Sequence, residues 1–153
     1  MIELFYLNDA MQRMAAVQNQ TKGQGPNPVS CMTGEDMIIG FSTHSPRQAR
    51  EAVSMGADYI GVGPIFRTFT KKDVCEPVGL EYLDYAVRNC PIPFVAIGGI
   101  KEDNIAQVAG RGARLICAVT EILEADNIRE KIFSLREKME LAAANKNVPH
   151  KSK

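Results

Sequence analysis

The chain lacks several features that would assign it to a broad functional class. Lysine plus arginine and aspartate plus glutamate each total 18 in 153 residues, so no basic excess points to nucleic acid or an anionic membrane. No apolar run approaches the roughly 20 residues that a membrane-spanning helix needs. The chain begins with Glu3 and Asp9 but no early basic side chain, and we therefore expect no signal peptide.

The four cysteines are too far apart in sequence to form a zinc or redox pair. Cys31, Cys75, Cys90 and Cys117 make no CxxC motif. Widely spaced cysteines of this kind are expected to be reduced thiols in a cytoplasmic protein. Cys117 lies in an apolar run and is expected in the core.

What the chain does contain is an alternation of short apolar runs and amphipathic stretches. Four apolar runs predict strands, at residues 37–41, 59–62, 94–97 and 114–119. Four stretches with helical spacing follow them, at residues 46–55, 80–89, 102–109 and 128–144. Ser45 before Pro46 is typical of a helix start. Because strands and helices alternate, the sequence predicts a parallel sheet with right-handed crossovers.

The expected architecture is an α/β fold of the (β/α) TIM-barrel type with about four βα units. A complete eight-stranded barrel needs about 200 residues or more, so we expect residues 37–144 to form a truncated half barrel. Residues 1–36 are expected to be an atypical N-terminal segment that ends in a glycine- and proline-rich linker. Residues 145–153 are expected to be a polar tail.

Residues suited to binding phosphate follow the second and third predicted strands. Thr68, Thr70 and Lys71 offer two hydroxyls and an ammonium group within one loop. Gly98 and Gly99 offer backbone amides between a strand and a helix. The alternatives are a solvated loop for the first group and an ordinary tight turn for the glycine pair. Parallel βα units hold their ligands at this edge of the sheet.

The other two strand ends carry groups of the same kind. Ser42 and Thr43 can donate hydrogen bonds to an anion, and His44 can carry a proton near neutral pH. The alternative is that these three residues only cap the next helix. Thr120 offers an amide or a hydroxyl to a second phosphate, or else it caps residues 121–124. The sequence therefore predicts a site for phosphorylated molecules.

Three of these motifs, by their order and spacing, resemble the thiamine-phosphate synthase family. They are Gly-Phe-Ser-Thr-His-Ser at residues 40–45, the run at residues 56–73 that ends in Thr-x-Thr-Lys-Lys-Asp, and Ala-Ile-Gly-Gly-Ile at residues 96–100. The resemblance covers residues 37–143, which correspond to the second half of the family's barrel. The threonine and lysine motif favours the synthase over the related thiazole tautomerase, which shares the barrel and the glycine pair.

The resemblance implies a transferase of thiamine biosynthesis that joins hydroxymethylpyrimidine diphosphate to thiazole phosphate and releases pyrophosphate. It implies that Ser42 and Lys71 contact the diphosphate. The residues that it implies for the thiazole phosphate are Thr68, Thr70, Gly98, Gly99, Val119 and Thr120. In the tautomerase a histidine near the position of His44 transfers protons, so His44 joins Ser42 and Lys71 as a candidate catalytic residue.

The resemblance also implies magnesium as a cofactor and two phosphorylated substrates as ligands. The magnesium ligands stay unassigned, because the segments around Asp9 and Asp36 depart from the family's aspartate motifs. Two other functions stay open, namely a non-catalytic phosphate-binding half barrel and a tautomerase-like isomerase. A half barrel leaves sheet edges open, so we expect self-association or a complementing half. We expect no nucleic acid or membrane partner.

Overall fold

The computed structural model describes residues 38–70 and 75–146, which form four successive βα units. The strands are β1 (Gly40–Thr43), β2 (Tyr59–Val62), β3 (Phe94–Ile97) and β4 (Ile116–Cys117). The helices are α1 (Pro46–Ser54), α2 (Gly79–Asn89), α3 (Ile105–Arg111), α4 (Val119–Leu123) and α5 (Ile128–Lys146). The strands pair in parallel in the order β1-β2-β3-β4, which confirms the predicted parallel α/β architecture. None of these helices is long and apolar enough to cross a bilayer.

The core lies between the helices and one face of the sheet. Alternate strand residues point to this face, and Phe41, Ile60, Val62 and Ala96 are buried there. They pack in one cluster with apolar helix residues that include Leu83, Ala86, Ile105, Val108 and Leu135. Burial of an aliphatic side chain of this size contributes about 1.5–3 kcal/mol to folding. The helix-covered face therefore supplies the main hydrophobic stabilisation of the described units.

The opposite face of the sheet carries two glycines and a serine beside larger residues, and it is less well covered. Gly40 pairs with Tyr59, and Ser42 pairs with Gly61, so these four residues share that face. Ile97 lies on the same face by alternation and is 39% exposed. The described helices thus cover the sheet on one side only.

Strand boundaries differ from the sequence-based prediction at both edges of the sheet. β1 begins at Gly40: of the predicted earlier residues, residue 37 lies outside the described ranges, and the Ile39 amide donates to the side chain of Asp58 at 2.7 Å from Oδ2 and not to a neighbouring strand. β4 has two residues rather than the predicted six, because Leu115 is exposed and Val119 already begins α4. The apolar pattern alone therefore overestimated the length of β4, and it placed β1 too early, since β1 extends to Thr43, two residues past its predicted end.

The start of α3 also differs, and a side chain explains the difference. Asn104 Oδ1 accepts a hydrogen bond from the Lys101 amide at 2.8 Å, and its Nδ2 donates to the Gly99 carbonyl at 3.1 Å. These bonds close a turn that keeps residues 101–104 out of the helix, so α3 begins at Ile105 instead of residue 102. The predicted helix is present, but its predicted start at residue 102 is three residues too early.

Hydrogen bonds of two buried hydroxyl groups connect β1 and β2 to α2. Thr43 is 1% exposed; its Oγ1 donates to the Gly61 carbonyl at 2.8 Å and accepts from the Tyr82 hydroxyl at 2.6 Å. Burial raises the pKa of Tyr82, so this phenol stays protonated as the donor. The prediction that Thr43 donates to an anion is wrong, because its proton is already engaged inside the core.

Candidate functional site

The loop after β2 lies against the turn after β3 through backbone hydrogen bonds. The Ile65 amide donates to the Ile97 carbonyl at 2.9 Å, and the Phe66 amide donates to the Gly98 carbonyl at 3.0 Å. These bonds extend the β2–β3 pairing beyond the last strand residues. The two strand-end segments therefore form one continuous surface at the carboxyl edge of the sheet.

Glycine is required where these two segments meet. Gly98 and Gly99 have φ angles of 96° and 64°, in the left-handed region that L-residues with a Cβ avoid. A Cβ on Gly98 would collide with Pro64, and a Cβ on Gly99 would lie 2.5 Å from the Arg67 carbonyl oxygen. The tight-turn interpretation of the glycine pair therefore holds for its geometry, and the turn lies directly against the loop after β2.

The two threonines of that loop present their hydroxyls at one place. Thr68 Oγ1 and Thr70 Oγ1 are 3.0 Å apart and share a hydrogen bond, and the Thr70 amide donates to Thr68 Oγ1 at 3.4 Å. Thr70 is exposed and Thr68 is half-buried. Two hydroxyls this close can both reach a single phosphate group. Lys71 lies outside the described residues, and its role stays a prediction.

Arg67, which the sequence patterns did not single out, directly precedes this threonine pair in the loop and carries a cation. The guanidinium carbon of Arg67 is 5.4 Å from the centre of the Phe69 ring, a distance suited to a cation–π contact. Phe69 is 83% exposed, so this contact lies at the surface of the loop. Arg67 directly precedes Thr68 and Phe69 lies between the two threonines, at positions where the motif specifies no side chain.

Ser42 lies on the sheet face opposite Thr43. A Cβ on Gly61 would lie 3.7 Å from the Ser42 Cα. Because Gly61 has no side chain, Ser42 is not covered on the side that faces β2. Within the ranges 38–70 and 75–146, no hydrogen bond engages its hydroxyl. Ser42 therefore retains a donor for a ligand, whereas Thr43 does not.

His44 joins the end of β1 to the end of β2. Its Nδ1 is 2.5 Å from the Gly63 carbonyl oxygen, and because a carbonyl only accepts, this nitrogen carries the hydrogen. The neutral ring then has Nε2 as its acceptor. The His44 amide also donates to Gln48 Oε1 at 2.7 Å, while Ser45 Oγ accepts from the Gln48 amide at 3.3 Å and caps α1 as predicted. His44 thus supports the helix start and orients its ring towards the next loop.

Val119 and Thr120 are the first two residues of α4. The residue that caps this helix is Ala118, so the alternative that Thr120 is the N-cap is wrong. Ile97 at the end of β3 pairs with Cys117 at the end of β4. The glycine pair and the start of α4 follow these two paired residues and are therefore neighbours. Burial raises the pKa of the half-buried Cys117 thiol and disfavours its thiolate form.

The described residues do not supply a metal site. Between residues 38 and 146, leaving out 71–74, no three His, Cys, Asp or Glu side chains come together in a way that could hold a metal ion. Asp9 and Asp36 lie outside the described residues. The described residues therefore assign no magnesium ligand, and the chemistry below includes no step through the metal.

A groove of about 250 Å³ between α1 and α2 lies away from these strand ends. It is lined by Ala49, Arg50, Val53, Tyr85, Asn89, Cys90 and Pro91. The last of these residues lead into the start of β3, whereas the candidate site lies where the strands finish. We therefore place the candidate site at the carboxyl edge and not in this groove.

Comparison with known proteins gives the same family in sequence and in structure. A sequence model of the family described as "Thiamine monophosphate synthase" matches residues 21–122. The chain is 65% identical over 105 residues to a thiamine-phosphate synthase of Pelotomaculum thermopropionicum, covering 69% of this chain and 48% of the relative. It is 57% identical over 111 residues to the thiamine-phosphate synthase of Lawsonia intracellularis, covering 72% and 51% respectively.

A solved structure shows the same relationship. The thiamine phosphate pyrophosphorylase from Pyrococcus furiosus aligns with a TM-score of 0.66 at 34% sequence identity, over 79% of this chain and 57% of that chain. The chain thus spans about half the length of the curated relatives it matches.

Proposed function

The chain belongs to the thiamine monophosphate synthase family, and from this premise we propose that its described half binds the phosphates of the substrates of thiamine-phosphate synthesis. The family's fold is of the TIM-barrel type, which confirms the predicted fold class. The observation that supports the proposal is the contact between the loop after β2, which carries the Thr68–Thr70 hydroxyl pair, and the Gly98–Gly99 turn. Such donors suit an anionic ligand.

The proposed reaction joins hydroxymethylpyrimidine diphosphate to thiazole phosphate. The bond between the pyrimidine's methylene carbon and the diphosphate oxygen breaks, and the electron pair leaves with pyrophosphate. The thiazole nitrogen then forms a new bond to that carbon. The protein's main task is to stabilise the leaving diphosphate and to hold the acceptor in line.

We assign the two anions to two groups of donors. Thr68 and Thr70 hold the thiazole phosphate, together with the Gly98–Gly99 amides and the Val119–Thr120 segment. Ser42 and Lys71 contact the diphosphate. A hydrogen bond to a charged group contributes about 1.5–3 kcal/mol, so loss of one donor should weaken binding without abolishing it.

His44 is the remaining candidate catalytic residue. Its Nδ1–H bond to Gly63 fixes the ring at the site's edge with Nε2 as acceptor, which is a geometry for moving a proton. A tautomerase-like activity would use this nitrogen. The synthase proposal is preferred, because the relatives at 65% and 57% identity are thiamine-phosphate synthases. The non-catalytic alternative has no specific observation in its favour.

Self-association or a complementing half belongs to the same proposal. Among residues 38–70 and 75–146, β1 and β4 each pair with one neighbour only, and open sheet edges are ready to pair with another chain. Ile97 and Leu115 are 39% and 52% exposed near the β4 edge. Sedimentation at micromolar concentration should show a species larger than the monomer. A monomer with a sharp cooperative melting transition would argue against this part of the proposal.

The test of the function combines binding and turnover in the full chain. Thiazole phosphate should raise the melting temperature, because a ligand that binds only the folded state stabilises it. Thiamine phosphate formation by the chain alone should be slow, below the common enzyme range that starts at about 1 per second. Absence of any ligand-dependent stabilisation would contradict the proposed binding role. The cytoplasmic location expected from the sequence stays a prediction.

A further inference from the structure

The ammonium group of Lys131 in α5 contacts carboxylates from two separate strand-end segments. Its Nζ is 2.5 Å from Glu102 Oε2 and 3.0 Å from Glu121 Oε1. Glu102 lies between the glycine pair after β3 and helix α3, and Glu121 is the third residue of α4, directly after Thr120. One side chain therefore joins the segments that follow β3 and β4.

The rest of the network holds Glu102 but not Glu121. Ser134 Oγ donates to Glu102 Oε1 at 2.6 Å, and Lys138 Nζ lies 3.1 Å from the same oxygen. The hydrogen bond from Lys131, followed by those from Ser134 and Lys138, lowers the pKa of Glu102 to about 2, so this carboxylate is charged at neutral pH. Among the described residues, Lys131 alone contacts both Glu102 and Glu121.

The α4 segment has little other support. None of its five residues is buried, and Ile122 is its member that packs partly against the core. The side chain of Glu121 is 17% exposed and that of Lys131 is 24% exposed, so solvent screens this pair only in part. The ion pair is therefore a main attachment of α4 to α5.

The link from Glu102 to the glycine pair is short and stiff. The Asn104 side chain bridges the Gly99 carbonyl and the Lys101 amide, which closes residues 99–104 into one unit. A displacement of Glu102 therefore moves the turn that contains Gly99. Removal of the Lys131 charge would also leave the Glu102 and Glu121 carboxylates without their shared counter-ion. Their negative charges would then lie near a site for an anion.

From this arrangement we propose that Lys131 is a positioning residue that sets the spacing between the Gly98–Gly99 turn and the Val119–Thr120 segment. This inference rests on the proposed function, which assigns both segments to the thiazole phosphate. Lys131 touches no ligand in this account. It acts through Glu102 on one segment and through Glu121 on the other.

The first test is amide hydrogen exchange on the ligand-free full chain. Lys131→Met should accelerate exchange at residues 119–124 by about tenfold or more, because local opening of α4 becomes easier. Lys138→Met is the matched control: it removes a lysine that contacts Glu102 but not Glu121, so exchange at residues 119–124 should stay unchanged. Lys131→Arg should restore protection. Equal acceleration in both methionine variants, or none in Lys131→Met, would overturn the inference.

Glu121→Gln is a second variant that tests the inference if Lys131→Met does not fold. It keeps the Lys131–Glu102 pair and weakens only the attachment of α4, so it should loosen residues 119–124 and leave residues 99–104 protected. Exchange that stays slow at residues 119–124 in this variant would also count against the inference.

The second test measures thiazole phosphate binding by titration calorimetry. Lys131→Met should weaken binding by about fivefold, whereas Lys138→Met should change it by less than about twofold, because solvent-screened charges contribute little. Equal affinities for the wild type and Lys131→Met would contradict the positioning role. A wild-type chain that binds no thiazole phosphate would contradict the proposed function instead, and the exchange measurement then decides the positioning claim by itself.

Discussion

The segments that follow β2 and β4 are held in place by different physical means. The loop after β2 is fixed by backbone hydrogen bonds to Ile97 and Gly98, in a space that only glycine leaves open. Helix α4, which follows β4, has no buried residue and is attached to α5 by the Glu121–Lys131 pair. A backbone contact tolerates no added atom, whereas an ion pair can be weakened by degrees. We therefore expect abrupt losses from changes at the first segment and graded losses at the second.

The largest effect is expected from Gly99→Ala. The new Cβ would lie 2.5 Å from the Arg67 carbonyl oxygen and 2.7 Å from that of Phe66, at a φ of 64°. We expect a loss of about 3 kcal/mol in the free energy of unfolding, since backbone strain and collision add. Urea unfolding measures it.

Gly79→Ala is the control for that experiment. Gly79 also has a left-handed φ, of 71°, but nothing lies within 4 Å of an added Cβ. Its cost should be limited to backbone strain of about 1 kcal/mol. Similar losses in the two variants would mean that the close approach of the two loops contributes nothing.

The next effect concerns the buried hydroxyl pair at the ends of β1 and β2. Tyr82→Phe removes the donor to Thr43 Oγ1 inside the core, and we expect a loss of about 1–2 kcal/mol in the free energy of unfolding. Tyr85→Phe removes a hydroxyl that accepts from Arg50 at an exposed position, and should cost less. Thermal unfolding of both variants makes the comparison. A greater loss in Tyr85→Phe would contradict the stabilising role of the buried hydrogen bond between Tyr82 and Thr43.

A further prediction separates specific from general charge in the loop after β2. Lys71→Ala should weaken pyrophosphate binding by roughly tenfold, which corresponds to about 1.4 kcal/mol. Lys72→Ala should change it only slightly, because a solvated lysine contributes little. Calorimetric titration of both variants decides between the two. Equal losses would show that the loop attracts anions by net charge and not through the motif.

The smallest effect is a pH dependence of stability that arises from the contact between Glu102 and Lys131. Glu102 faces Lys131, Lys138 and Ser134, which lower its pKa to about 2 in the folded chain. A carboxyl with a lowered folded pKa stabilises the protein above its unfolded pKa of about 4.3 and loses that contribution as the pH falls towards 2. Glu102→Gln should therefore flatten the fall in stability between pH 5 and pH 2.5. Urea unfolding at several pH values tests this, and identical slopes for the wild type and the variant would refute it.

The sequence predicted those features that depend on local patterns. Four βα units follow from apolar periodicity, and the Ser45 cap follows from the serine before Pro46. The glycine pair predicts a tight turn, because glycine adopts left-handed φ angles, as Gly98 and Gly99 do, without the steric cost that a Cβ brings. These signals lie within a few residues of the feature that they predict.

The features that escaped prediction depend on partners far away in the chain. Thr43 and Tyr82 are 39 residues apart, and Glu102 and Lys131 are 29 residues apart. No local pattern tells whether a strand-end threonine faces a ligand or a buried tyrosine. Local patterns also did not predict α4. Its first residue, Val119, falls in the predicted strand at residues 114–119, whereas strand β4 ends at Cys117.

The central claim is that the Thr68–Thr70 pair and the glycine turn form one phosphate site. Titration calorimetry of thiazole phosphate against the variant with Thr68→Val and Thr70→Val tests it most directly, because valine keeps the shape and removes the hydroxyls. Ser54→Ala, which removes an exposed hydroxyl bound to the Glu51 carbonyl in α1, is the control. The account predicts a loss of at least about tenfold in the double variant, from two charge-assisted hydrogen bonds, and none in the control. Equal affinity in the wild type and the double variant would contradict the claim.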